Sequence, residues 1–201
     1  MTRTSAARTG EKGRPLPDRL LAVATRMFAE KGYENTSVQE IVDAAGVTKG
    51  AMYHYFGSKD DLLYEIYHRL LGMQMLRLER IADGPGTAEQ RLRAAAADVL
   101  NTSFRYLDDF TVFFRSTHLL SAERREAVRA ERRRYHERFR ALVEEGQRAG
   151  AFRTRTPADI AVHFFFGTVH QLGAWYRPGG RLDTAAISDH YVDLFLNGLK
   201  E

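Results

Sequence analysis

Helix-breaking residues stand at only a few points of this chain, and their placement constrains the fold more than any other feature. The five prolines, at positions 15, 17, 85, 157 and 178, all lie outside the apolar-periodic segments. Between them, apolar residues recur with the 3.6-residue period of an amphipathic helix, and alternating runs of β-branched residues are missing. The sequence therefore predicts an all-α fold without strand pairs or internal repeats.

Capping and stop signals divide the chain into nine predicted helices. Three short helices form a small N-terminal unit, and six surround a second core, with the fourth helix as the hinge between the two. Thr156 followed by Pro157 predicts the start of the eighth helix, which we expect to run unbroken to Arg177. The predicted helices cover about 16–31, 37–45, 48–56, 58–81, 88–106, 110–119, 122–149, 157–177 and 184–199.

Composition excludes several classes of protein. The chain has 201 residues, of which 44% are hydrophobic and 28% charged, as in an ordinary globular protein. It has no cysteine, which excludes disulfides, thiolate metal sites and a cysteine nucleophile. No apolar segment is long enough to span a membrane, and the N-terminus lacks the apolar core of a signal peptide. We therefore expect a cytoplasmic protein.

Enzyme and metal motifs are also missing from the sequence. There is no HExxH spacing, no P-loop, no dinucleotide fingerprint and no GxSxG elbow. His163 and His170 lie two turns apart, and the nearest carboxylate, Asp159, suits the positive end of its helix better than a metal. We expect no catalytic residue, no metal and no cofactor.

Charge is informative through its distribution. The net charge is +4, but residues 16–60 hold five basic and six acidic side chains, so bulk charge does not predict DNA binding there. The predicted disordered tail, residues 1–15, holds four basic residues against one acidic residue. These basic side chains either reach a DNA groove or phosphates, or belong to a solvated tail.

The segment 37–56 fits a helix-turn-helix on physical grounds. Ile41 and Ala45 form the inner face of its first helix, Gly46 permits the tight turn, and Val47 fills the angle between the helices. The second helix begins near Thr48 and could direct its first N–H groups at phosphate. Its core-facing residues are predicted to be Met52, Tyr55 and Phe56.

The same region resembles the signature of the TetR family of transcriptional regulators in unbroken register over about residues 18–64. The resemblance rests on Gly32-Tyr33, Thr36-Ser-Val, Ile41-Val, Ala44-Ala-Gly-Val, Lys49-Gly-Ala-Met-Tyr-His-Tyr-Phe, Ser58-Lys59 and Leu62-Leu63. It implies a homodimeric, ligand-responsive repressor that binds a palindromic operator with its recognition helix in the major groove. Residues 16–62 would then be the DNA-binding domain, and residues 63–201 the ligand-binding and dimerisation domain.

Position by position, the resemblance implies a set of DNA contacts. Ser37 and Thr36 would contact phosphate at the start of the second helix, and Lys59 would contact the next phosphate. Tyr53 could instead be structural, Lys59 could be merely solvated, and His54 could bind phosphate as a neutral ring. The predicted DNA-binding residues are Thr36, Ser37, Thr48, Lys49, Gly50, Ala51, Tyr53, His54 and Lys59.

Aromatic residues concentrate in the second core, where they either pack the core or enclose an apolar cavity between helices. On the eighth helix, His163, Phe166 and His170 share one face, which we assign to a ligand pocket. The predicted pocket residues are Phe104, Phe110, Phe113, Phe114, His118, His163, Phe166 and His170.

A second apolar face of the eighth helix, together with the last helix, is assigned to a two-fold dimer interface, as the family resemblance implies. The predicted interface residues are Leu172, Trp175, Tyr176, Ile187, Tyr191, Leu194 and Phe195.

The segment Trp175-Tyr-Arg-Pro-Gly-Gly180 resembles one TetR subgroup whose members respond to acyl-CoA thioesters in lipid, aromatic-acid or steroid catabolism. The arginines at 115, 124, 125, 129 and 132–134 could bind the CoA phosphates, or could form a solvated helix face paired with glutamates. The alternative effector is a free lipophilic compound, such as an antibiotic or a fatty acid, in a repressor that controls efflux. The operator sequence and the regulated genes do not follow from the sequence.

Overall fold

The computed structural model describes residues 15–177 and 179–200, so the predicted disordered tail and its arginines, apart from Pro15, lie outside the described residues. Within these two ranges the chain forms ten α-helices and one 3-10 turn, Thr117–Leu119, and no strand. The helices are α1 Leu16–Lys31, α2 Val38–Ala45, α3 Lys49–Tyr55, α4 Lys59–Ala82, α5 Ala88–Arg105, α6 Leu107–Ser116, α7 Ala122–Arg148, α8 Ala158–His170, α9 Leu172–Trp175 and α10 Thr184–Asn197.

Short polar side chains begin most of these helices, as the sequence predicts. Ser37 caps α2 in a capping box, accepting from the Glu40 N–H at 3.2 Å while the Glu40 carboxylate accepts from the Ser37 N–H at 2.8 Å. Ser58 caps α4 in the same way through the Asp61 N–H. These caps satisfy N–H groups that the first turn of a helix leaves without partners.

Two predicted features of α8 are wrong. Thr156 does not cap the helix, because Pro157 occupies the N-cap position and makes no side-chain bond. The helix also stops at His170 instead of continuing to Arg177, and the one-turn α9 follows. The Thr168 hydroxyl donates to the Phe165 carbonyl at 2.8 Å, a bond that bends helices, and the Gln171 N–H donates to Thr168 in a tighter 3-10 turn.

The helices pack around two hydrophobic clusters. The first lies among α1 to α4 and extends to Val112 and Phe113 of α6, so the domain boundary predicted at 62–63 is not a break in packing. The second lies among α5, α7, α8 and α10 and receives Leu78 and Ala82 from the end of α4. Helix α4 therefore contributes to both clusters and joins them.

Candidate DNA-binding surface and ligand pocket

The turn between α2 and α3 fixes the angle between these helices. Gly46 ends α2 in the left-handed conformation at φ 66°, and the Val47 N–H donates to the Val42 carbonyl at 3.0 Å. Thr48 caps α3 by accepting from the Ala51 N–H at 3.1 Å. Because Met52 is fully buried beneath α3, the opposite face of the helix points away from the core.

The outward surface of α2 and α3 carries most of the side chains predicted to contact DNA. Tyr53 exposes half of its surface, and Lys49 and His54 are also exposed. Helix α3 contains no acidic residue that would repel phosphate. The structure leaves these predicted residues exposed: Ser37, Thr48, Lys49, Gly50, Tyr53 and His54, with Ala51 half-buried beside them.

Three predictions about this region need correction. The Thr36 side chain is fully buried and donates to the Gly32 carbonyl at 2.8 Å, so its hydroxyl faces the protein and not a phosphate. The Lys59 ammonium donates to the Tyr33 carbonyl at 2.8 Å and the Thr36 carbonyl at 2.9 Å, and it lies 4.2 Å from the centre of the Tyr33 ring. Tyr55, predicted as core, is half exposed.

The role of Lys59 is therefore internal. Its ammonium closes the turn between α1 and α2, and burial lowers its pKa. These bonds use two of the three N–H donors of the ammonium, so a phosphate contact through the third donor stays compatible with them. The sequence could not reveal this role. A lysine at the start of a helix looks the same in the sequence whether it binds the preceding turn or is solvated.

A pocket with two chambers lies between α6, α8 and their neighbours. The outer chamber, about 220 Å³, lies between α6 and the α8–α9 junction. The inner chamber, about 20 Å³, has room for roughly one water molecule and lies between α4, α6, α7 and α8. Four residues line both chambers and separate them: Phe110, Phe114, Val169 and His170.

Five of the eight predicted pocket residues line these chambers: Phe110, Phe113, Phe114, Phe166 and His170. The other three do not. Phe104 packs on the ring of Tyr176, with 4.9 Å between ring centres. His118 is exposed on the 3-10 turn, and His163 is exposed on the outer side of α8. The predicted face of α8 is thus rotated, since Phe166 points inward while His163 does not.

The predicted pocket residues missed the contributions of α4 and α7, although Arg132 was among the arginines predicted as candidates for the CoA phosphates. Gln74 and Leu70 of α4 line the inner chamber, as do Arg132, Tyr135 and His136 of α7. A signal was present in α7, because positions 132, 135, 136 and 139 follow helical spacing and so share one face. The arginine-rich composition of this stretch obscured it.

The two histidines of the inner chamber are neutral near pH 7. Burial, with the adjacent Arg132 guanidinium, lowers the pKa of His136 to about 4 and that of His170 to about 3. The rings of His136 and Phe166 stack with their centres 4.2 Å apart. The chamber wall is therefore aromatic and contains one permanent cation.

The remaining arginines of α7 divide between structural and exposed roles. Arg124 pairs with Asp60 at 2.6 Å and with Asp61, and thereby ties the start of α7 to the start of α4. Arg129 and Arg133 pair with Glu126 on the exposed side of α7. The solvated-face interpretation holds for these two, whereas Arg115 of α6 lines the outer chamber.

The predicted dimer interface is partly wrong. Leu172, Ile187 and Phe195 are buried in the second hydrophobic cluster of the same chain. Trp175 and Leu194 are exposed, Leu194 by 73%, and are free to meet another molecule. Tyr176 and Tyr191 are half-buried. The prediction missed two exposed apolar residues of α8, Ile160 and Phe164, which lie one turn apart.

Metal and membrane-spanning features are absent from residues 15–177 and 179–200. No group of three or more histidine, cysteine or acidic side chains in these ranges could hold a metal ion. No helix in the same part of the chain is long and apolar enough to cross a membrane.

Comparison with known proteins matches nearly the whole chain to regulators. The family model for bacterial regulatory proteins of the tetR family matches residues 20–66, and that for the tetracyclin repressor-like C-terminal domain matches residues 85–199. A curated relative, the HTH-type transcriptional repressor KstR2 of Rhodococcus jostii (strain RHA1), is 29% identical over 197 residues, which is 95% of this chain and 93% of the relative.

Two solved structures have the same fold over their length. The TetR family transcriptional regulator PfmR from Thermus thermophilus is 32% identical, with a TM-score of 0.83, covering 92% of this chain and 100% of that one. AibR, solved in complex with isovaleryl coenzyme A and operator DNA, is 25% identical, with a TM-score of 0.80, covering 90% and 97%.

Proposed function

The chain belongs to the TetR family and is a transcriptional repressor rather than an enzyme, and from this premise we propose that it is a cytoplasmic homodimer released from a palindromic operator by an acyl-CoA thioester. In this proposal residues 16–62 bind DNA, and residues 63–201 bind the effector and the second protomer. The observation that carries it is the position of α4, which begins in the core of the DNA-binding helices and lines the inner chamber with Leu70 and Gln74.

DNA binding by α3 is supported by the packing of this helix against the core through Met52 and by its exposed polar face. Lys49 is the one long cationic side chain on this helix. We propose that Lys49, Tyr53 and His54 contact the operator, with Ser37 on a flanking phosphate. With so few donors to base edges, specificity would depend partly on apolar contacts to thymine methyl groups and on DNA shape.

Dimerisation is supported by the exposed apolar side chains of the C-terminal helices. Ile160 and Phe164 of α8, Trp175 of α9 and Leu194 of α10 are all exposed to at least 47%. Gly167 follows on the same side of α8, and a Cβ there would meet no atom within 4 Å, so a second helix could approach closely. Exposed apolar side chains on neighbouring turns of a helix, such as Ile160 and Phe164, are typical of protein interfaces.

An acyl-CoA effector is supported by the pocket and by AibR, whose structure contains isovaleryl coenzyme A. The mostly apolar wall of the inner chamber suits an acyl group, and Arg115 at the more polar outer chamber suits an anionic group. The same wall suits a free lipophilic compound, which is the second candidate. A thioester and its free acid differ in the CoA group alone, so direct comparison separates the candidates.

The mechanism is a shift between two settings of α4. The inner chamber is too small for an acyl chain, so a bound acyl group would have to displace α4, α6 or α8. A displacement of α4 would change the separation of the two α3 helices in a dimer. Both must engage half-sites about 34–36 Å apart, so a changed spacing weakens operator binding.

A selection of operator fragments followed by a thermal-shift screen tests the proposal. Gel shifts should select a palindromic sequence, and Leu194→Arg should abolish both the dimer in sedimentation and the shift. Acyl-CoA thioesters should stabilise the protein, by about 2.7 kcal/mol at a hundredfold excess over Kd. Stabilisation only by free lipophilic compounds would overturn the acyl-CoA proposal in favour of the second candidate. Failure to select any operator would overturn the DNA-binding proposal.

A further inference from the structure

The inner chamber contains one cation, Arg132, whose charge no group among residues 15–177 and 179–200 balances. Arg132 projects from α7 into a wall of aromatic and aliphatic side chains, where its guanidinium lies 5.9 Å from the ring centres of both Phe113 and Phe114. Burial alone lowers its pKa, with no contribution from a neighbouring carboxylate. A half-buried guanidinium in such surroundings is costly unless an anion compensates it.

Two neighbouring arginines on α7 differ from Arg132 in having acidic partners. Arg129 and Arg133, one on each side in sequence, both pair with Glu126. In the part of the chain that the structure describes, Arg132 pairs with no acid. Its one protein hydrogen bond runs from Nη2 to Nδ1 of His170 at 3.4 Å, which leaves most of its five N–H donors available.

Gln74 is the second unpartnered polar group at this chamber. Its side chain, contributed by α4, is only 5% exposed and lines the same inner space as Arg132. Among residues 15–177 and 179–200 its amide has no hydrogen-bond partner. Its amide is therefore open to the space of the chamber, where it can donate and accept hydrogen bonds with a ligand group.

We propose that Arg132 and Gln74 form a polar anchor that binds a carboxylate of the effector at the inner end of the pocket. A carboxylate balances the charge of Arg132 and accepts hydrogen bonds from both its guanidinium and the Gln74 amide. His136 and His170 are neutral near pH 7, so each can donate one hydrogen bond but neither balances the charge of a carboxylate. The anchor lies in the inner chamber, which shares Phe110 and Phe114 with the outer chamber.

This inference rests on the proposed function, since it assumes that the two chambers hold the effector. It narrows the effector to compounds with a carboxylate that reaches the inner chamber. Two sources fit this chemistry. One is a CoA thioester of a dicarboxylic acid, whose free carboxylate enters first while the CoA group stays outside. The other is a free carboxylic acid that enters with its own head group.

The test compares ligands of one chain length on the purified full-length protein. Octanoyl-CoA and the mono-CoA thioester of octanedioic acid (suberoyl-CoA) differ only in the terminal carboxylate, and free octanoate and suberate complete the set. Calorimetry should show suberoyl-CoA binding about tenfold or more tightly than octanoyl-CoA, as expected for charge-assisted hydrogen bonds.

Arg132→Met removes the cation and keeps an unbranched apolar stem, while Gln74→Leu removes the amide. Arg132→Met should abolish the preference for suberoyl-CoA and leave octanoyl-CoA binding unchanged or tighter, and Gln74→Leu should reduce the preference. Arg132→Lys should retain part of it. Arg133→Met, at an exposed neighbour, is the matched control and should behave as wild type. If Arg132→Met fails to fold, Gln74→Leu and Arg132→Lys still test the anchor, provided that their melting temperatures equal that of the wild type.

Each outcome decides between the two proposals. Equal binding of the two thioesters, or a preference that survives Arg132→Met, overturns the anchor and leaves the acyl-CoA proposal standing. Binding of free suberate or octanoate that depends on Arg132, with no binding of either thioester, supports the anchor and overturns the acyl-CoA proposal. Binding of none of the four ligands overturns the anchor for this chain length and the thioester proposal with it.

Discussion

At the scale of single residues, Lys59 stabilises the DNA-binding helices from within. Its ammonium donates to two carbonyls of the turn that orients α2 relative to α1. Both the Tyr33 ring and the Thr36 carbonyl lose a partner if this group is removed. Lys49 provides a natural comparison, because it is a lysine of the same unit whose side chain is exposed.

We expect Lys59→Met to lower the free energy of unfolding by about 1–3 kcal/mol, since it removes hydrogen bonds from a charged donor. Lys49→Met should leave stability within about 0.5 kcal/mol of wild type. It should weaken operator binding and reduce the slope of log affinity against log salt by about one per half-site. Urea unfolding and salt-dependent anisotropy measure the two effects, and a reversal of the two roles would refute this assignment.

The histidines of the inner chamber make stability depend on pH. With pKa values of about 4 and about 3, His136 and His170 stay neutral in the folded chain, whereas in the unfolded chain they protonate below about 6.5. Their contribution is therefore fully present above pH 6.5 and is lost as pH falls. Asp109 acts in the opposite direction, because burial raises its pKa to about 6 and acidification then favours the folded state.

On acidification the two histidines lower the free energy of unfolding and the one carboxyl raises it. We therefore expect a net loss of about 2 kcal/mol of stability between pH 7 and pH 5. Urea unfolding at the two pH values measures it. The double variant His136→Gln, His170→Gln should show a smaller loss or a gain. A double variant that loses as much stability as wild type would assign the pH dependence to other groups.

At the scale of the helices, two glycines inside α7 and α4 have opposite roles. A Cβ on Gly146 would lie 2.1 Å from the ring of Phe152, which is buried in the second cluster. A Cβ on Gly72 would meet no atom within 4 Å. Gly146 therefore allows the chain after α7 to fold back against the helix, while Gly72 has no such packing role.

We expect Gly146→Ala to destabilise the protein by about 1–3 kcal/mol through overpacking. Gly72→Ala should stabilise it by about 0.5–1 kcal/mol, because alanine favours the helix. The denaturant midpoints of the two variants measure both effects. Equal stabilisation by the two substitutions would show that Phe152 moves aside at no cost.

The starts of the helices follow from the sequence more closely than their packing or the lining of the pocket does. Capping residues such as Ser37 and Ser58 act within four residues, so most helix starts follow from local sequence. The break of α8 falls near the Thr168 hydroxyl bond to the Phe165 carbonyl, and the inward direction of Phe166 accompanies its stacking on His136 of α7. Arg132 and Gln74 meet only in the folded chain, because they lie on different helices, so local periodicity could not pair them.

At the scale of the whole molecule, Arg124 connects the pocket helix α7 to the start of α4. Its guanidinium pairs with Asp60 and Asp61 at the first turn of α4, directly after α3. The Tyr67 hydroxyl adds a second link by donating to the Val112 carbonyl of α6 at 3.0 Å. A shift of α7 or α6 can therefore move α4 and, with it, the DNA-binding helices.

We expect Arg124→Met to cost about 1 kcal/mol of stability, as for a partly exposed ion-pair network. It should reduce the factor by which effector weakens operator binding, while effector affinity itself changes little. Arg129→Met removes an exposed pair on the same helix and is the matched control. Operator titrations with and without effector give the factor, and a full response in Arg124→Met would exclude this ion pair from the coupling.

The central claim is that one ligand in the pocket changes DNA binding through α4, and operator anisotropy tests it most directly. The operator affinity of the wild-type protein is measured without ligand and at saturation with an acyl-CoA thioester that the thermal-shift screen shows to bind. We predict that the thioester weakens operator binding by about tenfold or more, within the usual range of allosteric coupling. A thioester that binds tightly and leaves operator affinity unchanged would contradict the claim, because equal affinity for both states shifts neither.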